Sequence, residues 1–158
     1  MKINLATNLE QVIREYLPDI FHMSLGTCAN NNPWVSEVHF AYDDDLNLYF
    51  RSLTSRRHSQ EIAANPSVAG NIVTQHMPWD KVRGIYFEGT AELLTEHGDR
   101  ITAFRCLHKR LEPSKDIWED SEHPEGHQFY KITVEKFSVF DGRESTPSQK
   151  YELPWKTK

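Results

Sequence analysis

Hydroxyl and cationic side chains are concentrated between residues 48 and 62, where a predicted strand gives way to a short predicted helix. Hydroxyls stand at positions 52, 54 and 55, and arginines at positions 51, 56 and 57. The amino end of a helix presents free N–H groups and about half a positive charge, which suits a phosphate group. An arginine fork can bind two phosphate oxygens at once. The pattern therefore predicts a phosphate site, although a surface helix with solvated arginines would give the same pattern.

The segments around this cluster have the periodicities of short strands and amphipathic helices. Helices are predicted at 8–16, with Asn8 as the cap, at 57–64, with Thr54 or Ser55 as the cap, and at 99–111. Strands are predicted at 21–28, 34–42, 46–50, 68–74, 82–94 and 129–140. The first three strands are joined by short turns and are expected to form a meander. Gly89 lies inside a strand pattern, where glycine indicates a bulge or a close backbone approach.

These elements predict a mainly β (α+β) fold. We expect a six-stranded antiparallel split β-barrel with short peripheral helices, because the strands are joined mostly as hairpins. Residues 1–143 would form the barrel domain, and residues 144–158 a polar C-terminal tail that is either a loose end or an arm on a partner. The acidic stretch 116–126 is expected to be a loop.

The overall composition excludes several classes of protein. The chain has 158 residues and a formal net charge of -5. This acidity argues against a nucleic-acid binder, which needs a basic surface. No apolar run is long enough to span a membrane, and the amino terminus lacks the pattern of a secretion signal. We therefore expect a cytoplasmic protein that contacts no membrane and keeps Cys28 and Cys106 as reduced thiols.

Four blocks of sequence, in order, resemble the flavin-binding split barrel of the pyridoxamine 5'-phosphate oxidase-like superfamily. The resemblance covers residues 22–94, and its blocks are 34–43, 48–52, 55–69 and 83–93. No single block is specific, but the set is. Within the superfamily the chain looks most like an uncharacterised bacterial subgroup that shares the Arg57-His58 pair.

The resemblance implies an FMN-binding homodimer in which the flavin lies at the subunit interface. Arg57 and His58 would hold the phosphate beside Ser55 and Arg56. Arg51 and Ser52 would face the ribityl chain and the phosphate. The strand residues from 36 to 41 would line the flavin ring, and Arg83 would lie near it. The implied cofactor-binding residues are Ser36, Glu37, Val38, His39, Arg51, Ser52, Ser55, Arg56, Arg57, His58 and Arg83.

Two departures from the family pattern bear on the activity. His58 stands where the family usually has a lysine, so phosphate binding is expected to be weaker or pH-dependent. The C-terminal arginine–histidine motif that binds pyridoxal phosphate in the true oxidases is missing, and Arg143 is a thin substitute. We therefore expect a flavin-dependent oxidoreductase acting on an unidentified small molecule rather than an oxidase of vitamin B6. No residue is assigned as a catalytic acid or base.

Other interpretations remain open. A flavin- or haem-binding dimer without turnover, serving as a carrier or sensor, would have the same fold, and His22, His39 or His76 could ligate haem. A split barrel that has lost its ligand would be a dimeric interaction module. His123 and His127 have a spacing that suits metal ligation on a helix, but Pro124 and Gly126 argue against a helix there, so no metal site is predicted.

Overall fold

Phe40 is the residue at which the two ends of the β-sheet meet. The computed structural model describes residues 8–142 and 150–155. Its strands are β1 His22–Ala29, β2 Asn32–His39, β3 Ala41–Tyr42, β4 Leu48–Ser52, β5 Ser67–Ile72, β6 Arg83–Leu93, β7 Gln128–Asp141 and β8 Lys150–Pro154. They form one antiparallel sheet in the order β2-β1-β5-β6-β7-β4-β3, with β8 also pairing β7. Because β2 and β3 are separated only by the fully buried Phe40, the sheet closes into a barrel.

Four α-helices pack around this barrel. They are α1 Leu9–Tyr16, α2 Arg57–Ala64, α3 His97–Arg110 and α4 Ile117–Glu122, and a 3-10 helix follows α1 at Leu17–Asp19. The apolar face predicted for α1 is buried in the main core, and the Asn8 side chain accepts a hydrogen bond from the Gln11 N–H as predicted. No helix in these two described ranges is both long and apolar enough to cross a membrane.

The mainly β split-barrel prediction is confirmed, but the sheet has eight strands rather than six. One additional strand, β3, arises because Phe40 divides the predicted strand 34–42 into two. The other, β8, lies in the predicted tail. Residues 150–154 pair with β7, and Trp155 packs on Phe137, so this part of the tail belongs to the chain's own barrel and is not a loose end. Residue 143 and residues 144–149 lie outside the described residues.

The predicted meander is confirmed in part. β1 and β2 form the expected hairpin, and β4 pairs with β3, the end of the predicted strand 34–42, but β2 itself does not pair with β4, whose other neighbour is β7, more than 70 residues later. Phe40 interrupts the predicted second strand, so the chain leaves β2 before it reaches β4. The alternation of apolar and polar residues does not indicate which distant strand pairs with β4.

Gly89 does mark a bulge and a close backbone approach, as predicted. The pairing of β6 with β7 shifts register between Glu88 and Gly89. A Cβ atom at this position would lie 2.2 Å from the carbonyl oxygen of Thr133. Only glycine lets the two strands approach this closely.

Helices α3 and α4 form a cap, residues 97–127, over one end of the barrel. Beneath it lies a second apolar cluster that includes Tyr49, Leu107, Ile117 and Phe129. The prediction of a loop at 116–126 is therefore wrong for residues 117–122. The Asp116 side chain accepts hydrogen bonds from the N–H groups of Trp118 and Glu119, and Ile117 is buried, so these residues form a capped helix despite their acidic composition.

Candidate functional site

A groove of about 1100 Å³ runs between β2, the end of β4, the start of α2 and the cap. The barrel interior is filled by buried phenylalanine and leucine side chains, so a ligand of this size has to lie outside it. Nine of the eleven predicted cofactor-binding residues line the groove: Ser36, Glu37, Val38, His39, Arg51, Ser52, Arg56, Arg57 and His58.

Ser55 and Arg83 are not among the lining residues of this groove. Ser55 lies in the exposed turn before α2 and does not cap the helix; the residue at the cap position is Arg56, whose side chain makes no capping hydrogen bond. Arg83, at the start of β6, pairs with Asp141 at 3.1 Å and lies over the ring of Tyr16. Its guanidinium is held there by groups outside the groove.

His58 joins two walls of the groove. Its Nδ1 lies 3.0 Å from the Ser36 hydroxyl on β2, and its Nε2 lies 2.7 Å from the Ser52 hydroxyl on β4. Burial, reinforced by the positive charge of Arg56, lowers the pKa of His58 below its ordinary value. The imidazole is therefore neutral at physiological pH, and it contributes hydrogen bonds to the groove rather than charge.

Arg57 is fixed on one side and open on the other. Its Nε donates to Glu61 at 2.8 Å, one helical turn along α2, and its guanidinium carbon lies 4.4 Å from the centre of the Trp34 ring. The terminal nitrogens have no hydrogen-bond partner within the part of the chain that the structure describes. Arg56 beside it is exposed and likewise forms no ion pair with any described residue. These two arginines place positive charge at the α2 wall of the groove.

Arg51 is already neutralised by the cap. Its Nη1 pairs with Glu112 at 3.2 Å and its Nη2 with Asp120, while 17% of the side chain remains exposed. Although burial alone would raise it, the pKa of Asp120 is lowered by hydrogen bonds from His127 and by the charge of Arg51. Arg51 therefore fastens the cap to β4, and in this arrangement both of its terminal nitrogens are occupied.

The cap contributes lining residues that sequence reasoning missed. They are Leu107, Arg110, Leu111, Glu112, Lys115, Asp116, Ile117, Asp120 and His127. The structure brings them to the groove because β4 pairs with β7, and the cap is the segment that leads into β7. No local sequence pattern predicts the pairing of β4 with β7. Trp34 was also missed, although its position beside Val35 at the start of an exposed strand was a signal.

A second, smaller groove of about 470 Å³ lies on the other side of the carboxyl end of β2. It shares Glu37, Val38 and His39 with the first groove and adds His22 and Asn71 among its lining residues. Glu37 contacts His22 and accepts a hydrogen bond from Ser24 at 3.0 Å. His39 lines both grooves, and its imidazole has no hydrogen-bond partner in the described ranges.

Comparison with known sequences decides the family. The sequence model described as pyridoxamine 5'-phosphate oxidase matches residues 9–141, most of the chain. The chain belongs to this family. It is also 27% identical, over 101 residues, to a UPF0306 protein of Photorhabdus laumondii, a match that covers 63% of this chain and 71% of that protein. The predicted resemblance to the superfamily and to an uncharacterised bacterial subgroup is thereby confirmed.

Solved structures share this fold at low sequence identity. A haem-binding protein of Mycobacterium smegmatis superposes with a TM-score of 0.73 at 11% identity, covering 98% of this chain and 59% of that one. An FAD-binding protein of Mesorhizobium loti superposes with a TM-score of 0.61 at 21% identity, covering 82% and 90%. Members of this fold thus include both flavin-binding and haem-binding proteins.

Proposed function

We propose that this protein binds flavin mononucleotide in the groove between β2, α2 and the cap, and that it is a flavin-dependent oxidoreductase acting on a small molecule. The observation that carries the proposal is the pair Arg56 and Arg57. Arg56 forms no ion pair with any described residue, and Arg57, which pairs with Glu61 only through Nε, keeps its terminal nitrogens available; both line the groove near the Ser36 and Ser52 hydroxyls. Such a set suits a phosphate dianion, because charged donors and hydroxyls together satisfy its oxygens.

The residues present fit the remaining parts of this cofactor as well. The groove, at about 1100 Å³, is comparable with the upper end of the range of about 300–1,000 Å³ for small-molecule sites. Strand β2 offers the backbone and side chains of residues 36–39 along one wall, where a flat ring could lie. The FAD-binding relative shows that the fold accommodates a flavin. A bound flavin supplies hydride or single-electron transfer, while the protein sets its position and access.

Different residues of this chain would bind the phosphate, support the groove walls and hold the cap. Arg56 and Arg57 bind the phosphate, and neutral His58 keeps Ser36 and Ser52 in place. Arg51 holds the cap, which would cover one end of the bound cofactor.

We further propose that the flavin lies at the interface of a homodimer. Phe21, Trp34 and Val35 are large apolar residues at or beside the groove and are 45%, 42% and 64% exposed. Phe21 lies just before β1, and Trp34 and Val35 lie in β2. A second copy of the chain packed against this face would bury them and complete the walls around the ring. The two cysteines are free, which suits the reducing cytoplasm where we expect the protein.

The absorbance spectrum of the freshly purified protein tests this proposal. We expect flavin absorption bands, release of FMN on denaturation, and bleaching of the bound flavin when NADH or NADPH is added anaerobically. A protein that stays colourless after incubation with FMN would contradict flavin binding. A flavin that binds but is not reduced would point to a carrier rather than an enzyme.

Haem binding is the second candidate function, and two observations favour it. The superposed Mycobacterium smegmatis protein is described as haem-binding, and His39 presents an imidazole without a hydrogen-bond partner in the described chain to both grooves. His76 is a weaker candidate ligand, because its Nε2 lies 3.1 Å from the Arg83 carbonyl oxygen. A Soret band that is lost in His39→Ala would establish haem binding by this residue.

A further inference from the structure

Four residues around Arg57 form a connected unit that we call the arginine clamp: Thr27, Trp34, Arg57 and Glu61. Thr27 and Trp34 are direct cross-strand partners on β1 and β2, so their side chains project from the same face of the sheet. Glu61 lies on α2, one turn after Arg57. The clamp therefore links two strands to the helix that carries the proposed phosphate-binding arginines.

Glu61 stands at the centre of the clamp. One carboxylate oxygen accepts a hydrogen bond from the Thr27 hydroxyl at 2.5 Å, and the other accepts from Nε of Arg57 at 2.8 Å. The Glu61 side chain is only 9% exposed, whereas 46% of Arg57 is exposed. A buried carboxylate with both oxygens bound is fixed in place, and it transmits that fixed position to the arginine.

The arginine is held in a way that leaves its binding atoms free. Glu61 engages only Nε, and the Trp34 ring lies against the guanidinium plane at 4.4 Å. Neither contact uses the terminal nitrogens, which are the atoms that form the fork for a phosphate. The hydrogen bonds from Thr27 and then from Arg57 lower the pKa of Glu61, so the carboxylate stays ionised while it holds the arginine.

We infer that Glu61 is a positioning residue for phosphate recognition: held by Thr27, it aligns the Arg57 fork over Trp34 before the ligand arrives. This inference rests on the proposed function, because it assumes that Arg57 binds the phosphate of FMN. It also accounts for a carboxylate so close to an anion site. A negative charge there opposes phosphate binding by simple electrostatics, so its benefit has to come from ordering a flexible side chain in advance.

Two neutral variants separate geometry from charge. Glu61→Gln and Glu61→Ala both remove the negative charge, but only glutamine keeps an oxygen that accepts from Nε of Arg57. The measurement is the dissociation constant for FMN divided by that for riboflavin, which lacks the phosphate. Loss of general folding or of the ring site affects both ligands and leaves this ratio unchanged. A riboflavin complex also reports directly whether each variant has folded.

We expect the Glu61→Gln protein to keep the FMN preference of the wild type or to increase it. Glu61→Ala should weaken FMN binding by about 3- to 10-fold while riboflavin binding stays the same. In an Arg57→Ala background the same Glu61→Ala change should have no further effect on the ratio, because the residue it positions is gone. Thr27→Val, which keeps the side-chain volume, should cause a smaller loss in the same direction and serves if Glu61→Ala does not fold.

The possible failures are distinguishable. If Arg57→Ala lowers the FMN preference but Glu61→Ala and Thr27→Val leave it at the wild-type value or raise it, Glu61 acts only as a nearby charge, and the inference is wrong while the phosphate site stands. If Arg57→Ala itself leaves the preference unchanged, the proposed phosphate site is wrong, and the positioning role falls with it.

Discussion

The Ser36 hydroxyl lies 3.0 Å from Nδ1 of His58, and this contact joins β2 to α2 across the candidate groove. Because the other ring nitrogen contacts Ser52 on β4, a single imidazole connects three elements that the sequence separates by up to 22 residues. A neutral ring can make both contacts while leaving the charge of the site to Arg56 and Arg57. The histidine therefore acts as a structural bridge.

The bridge predicts how stability depends on pH. The pKa of His58 is lower in the folded protein than its ordinary value of 6.5, so the unfolded chain takes up the proton first. The stabilisation from the neutral ring is thus complete above about pH 6.5 and is lost as the pH falls. We expect the free energy of unfolding to fall more steeply between pH 7 and 5 in the wild type than in His58→Gln, as measured by urea denaturation. If the free energies of unfolding of the wild type and His58→Gln differ by the same amount at every pH, the pH dependence does not come from His58 and this account is wrong.

Arg51 should matter for the cap and not for phosphate selection. Replacing it with methionine removes the arginine from the Glu112 and Asp120 carboxylates, which keep only Lys115 and His127 as partners among the described residues, and we expect the free energy of unfolding to fall by about 1–3 kcal/mol. The ratio of FMN to riboflavin affinity should stay at the wild-type value, since both terminal nitrogens are occupied by the cap. Denaturation of Arg51→Met tests the expected loss of stability, and ligand titration tests the expected unchanged preference for FMN. A loss of FMN preference as large as that of Arg57→Ala would show that Arg51 leaves the cap to bind the phosphate.

Two glycines provide a matched test of the barrel. In Gly89→Ala the added carbon would lie 2.2 Å from the Thr133 carbonyl oxygen, so β6 and β7 would have to separate, and we expect a loss of about 1–3 kcal/mol. In Gly98→Ala nothing lies within 4 Å of the added carbon, and the position is near the start of α3. That change should stabilise the protein by about 0.4–1 kcal/mol. Thermal unfolding of both variants tests this contrast, and equal effects would show that the bulge does not constrain the strand pair.

The parts of the fold that depend on local sequence were predictable. Helix α2 has the predicted bounds, and the hairpin of β1 and β2 and the bulge at Gly89 are confirmed. The pairing of β4 with β7 was not predictable, because alternation defines which face of a strand is buried but not its distant neighbour. Everything that depends on this pairing was missed, including the cap and the ion pairs that occupy Arg51.

In the candidate site, too, the features that depend on local sequence were predictable and those that depend on distant contacts were not. The cluster before α2 was found because arginines and hydroxyls are close together in the sequence, and the groove contains most of them. Sequence spacing could not distinguish Arg57, which is open to a ligand, from Arg51, which is neutralised by carboxylates more than 60 residues away. Arg83 was placed near the flavin by resemblance alone, whereas the structure pairs it with Asp141, which lies directly opposite it on β7.

The most direct test of the central claim is calorimetric titration of FMN and riboflavin into the wild type, Arg57→Ala and Arg105→Ala. Arg105 is an exposed arginine on α3 that does not line the groove, so its variant controls for the loss of one positive charge. We predict that Arg57→Ala weakens FMN binding by about 10- to 100-fold, the value of one charge-assisted phosphate contact, and leaves riboflavin binding unchanged. Arg105→Ala should match the wild type with both ligands. Equal affinity of the wild type for FMN and riboflavin, or an Arg57→Ala protein that binds FMN as tightly as the wild type, would contradict the assignment of this groove as a flavin phosphate site.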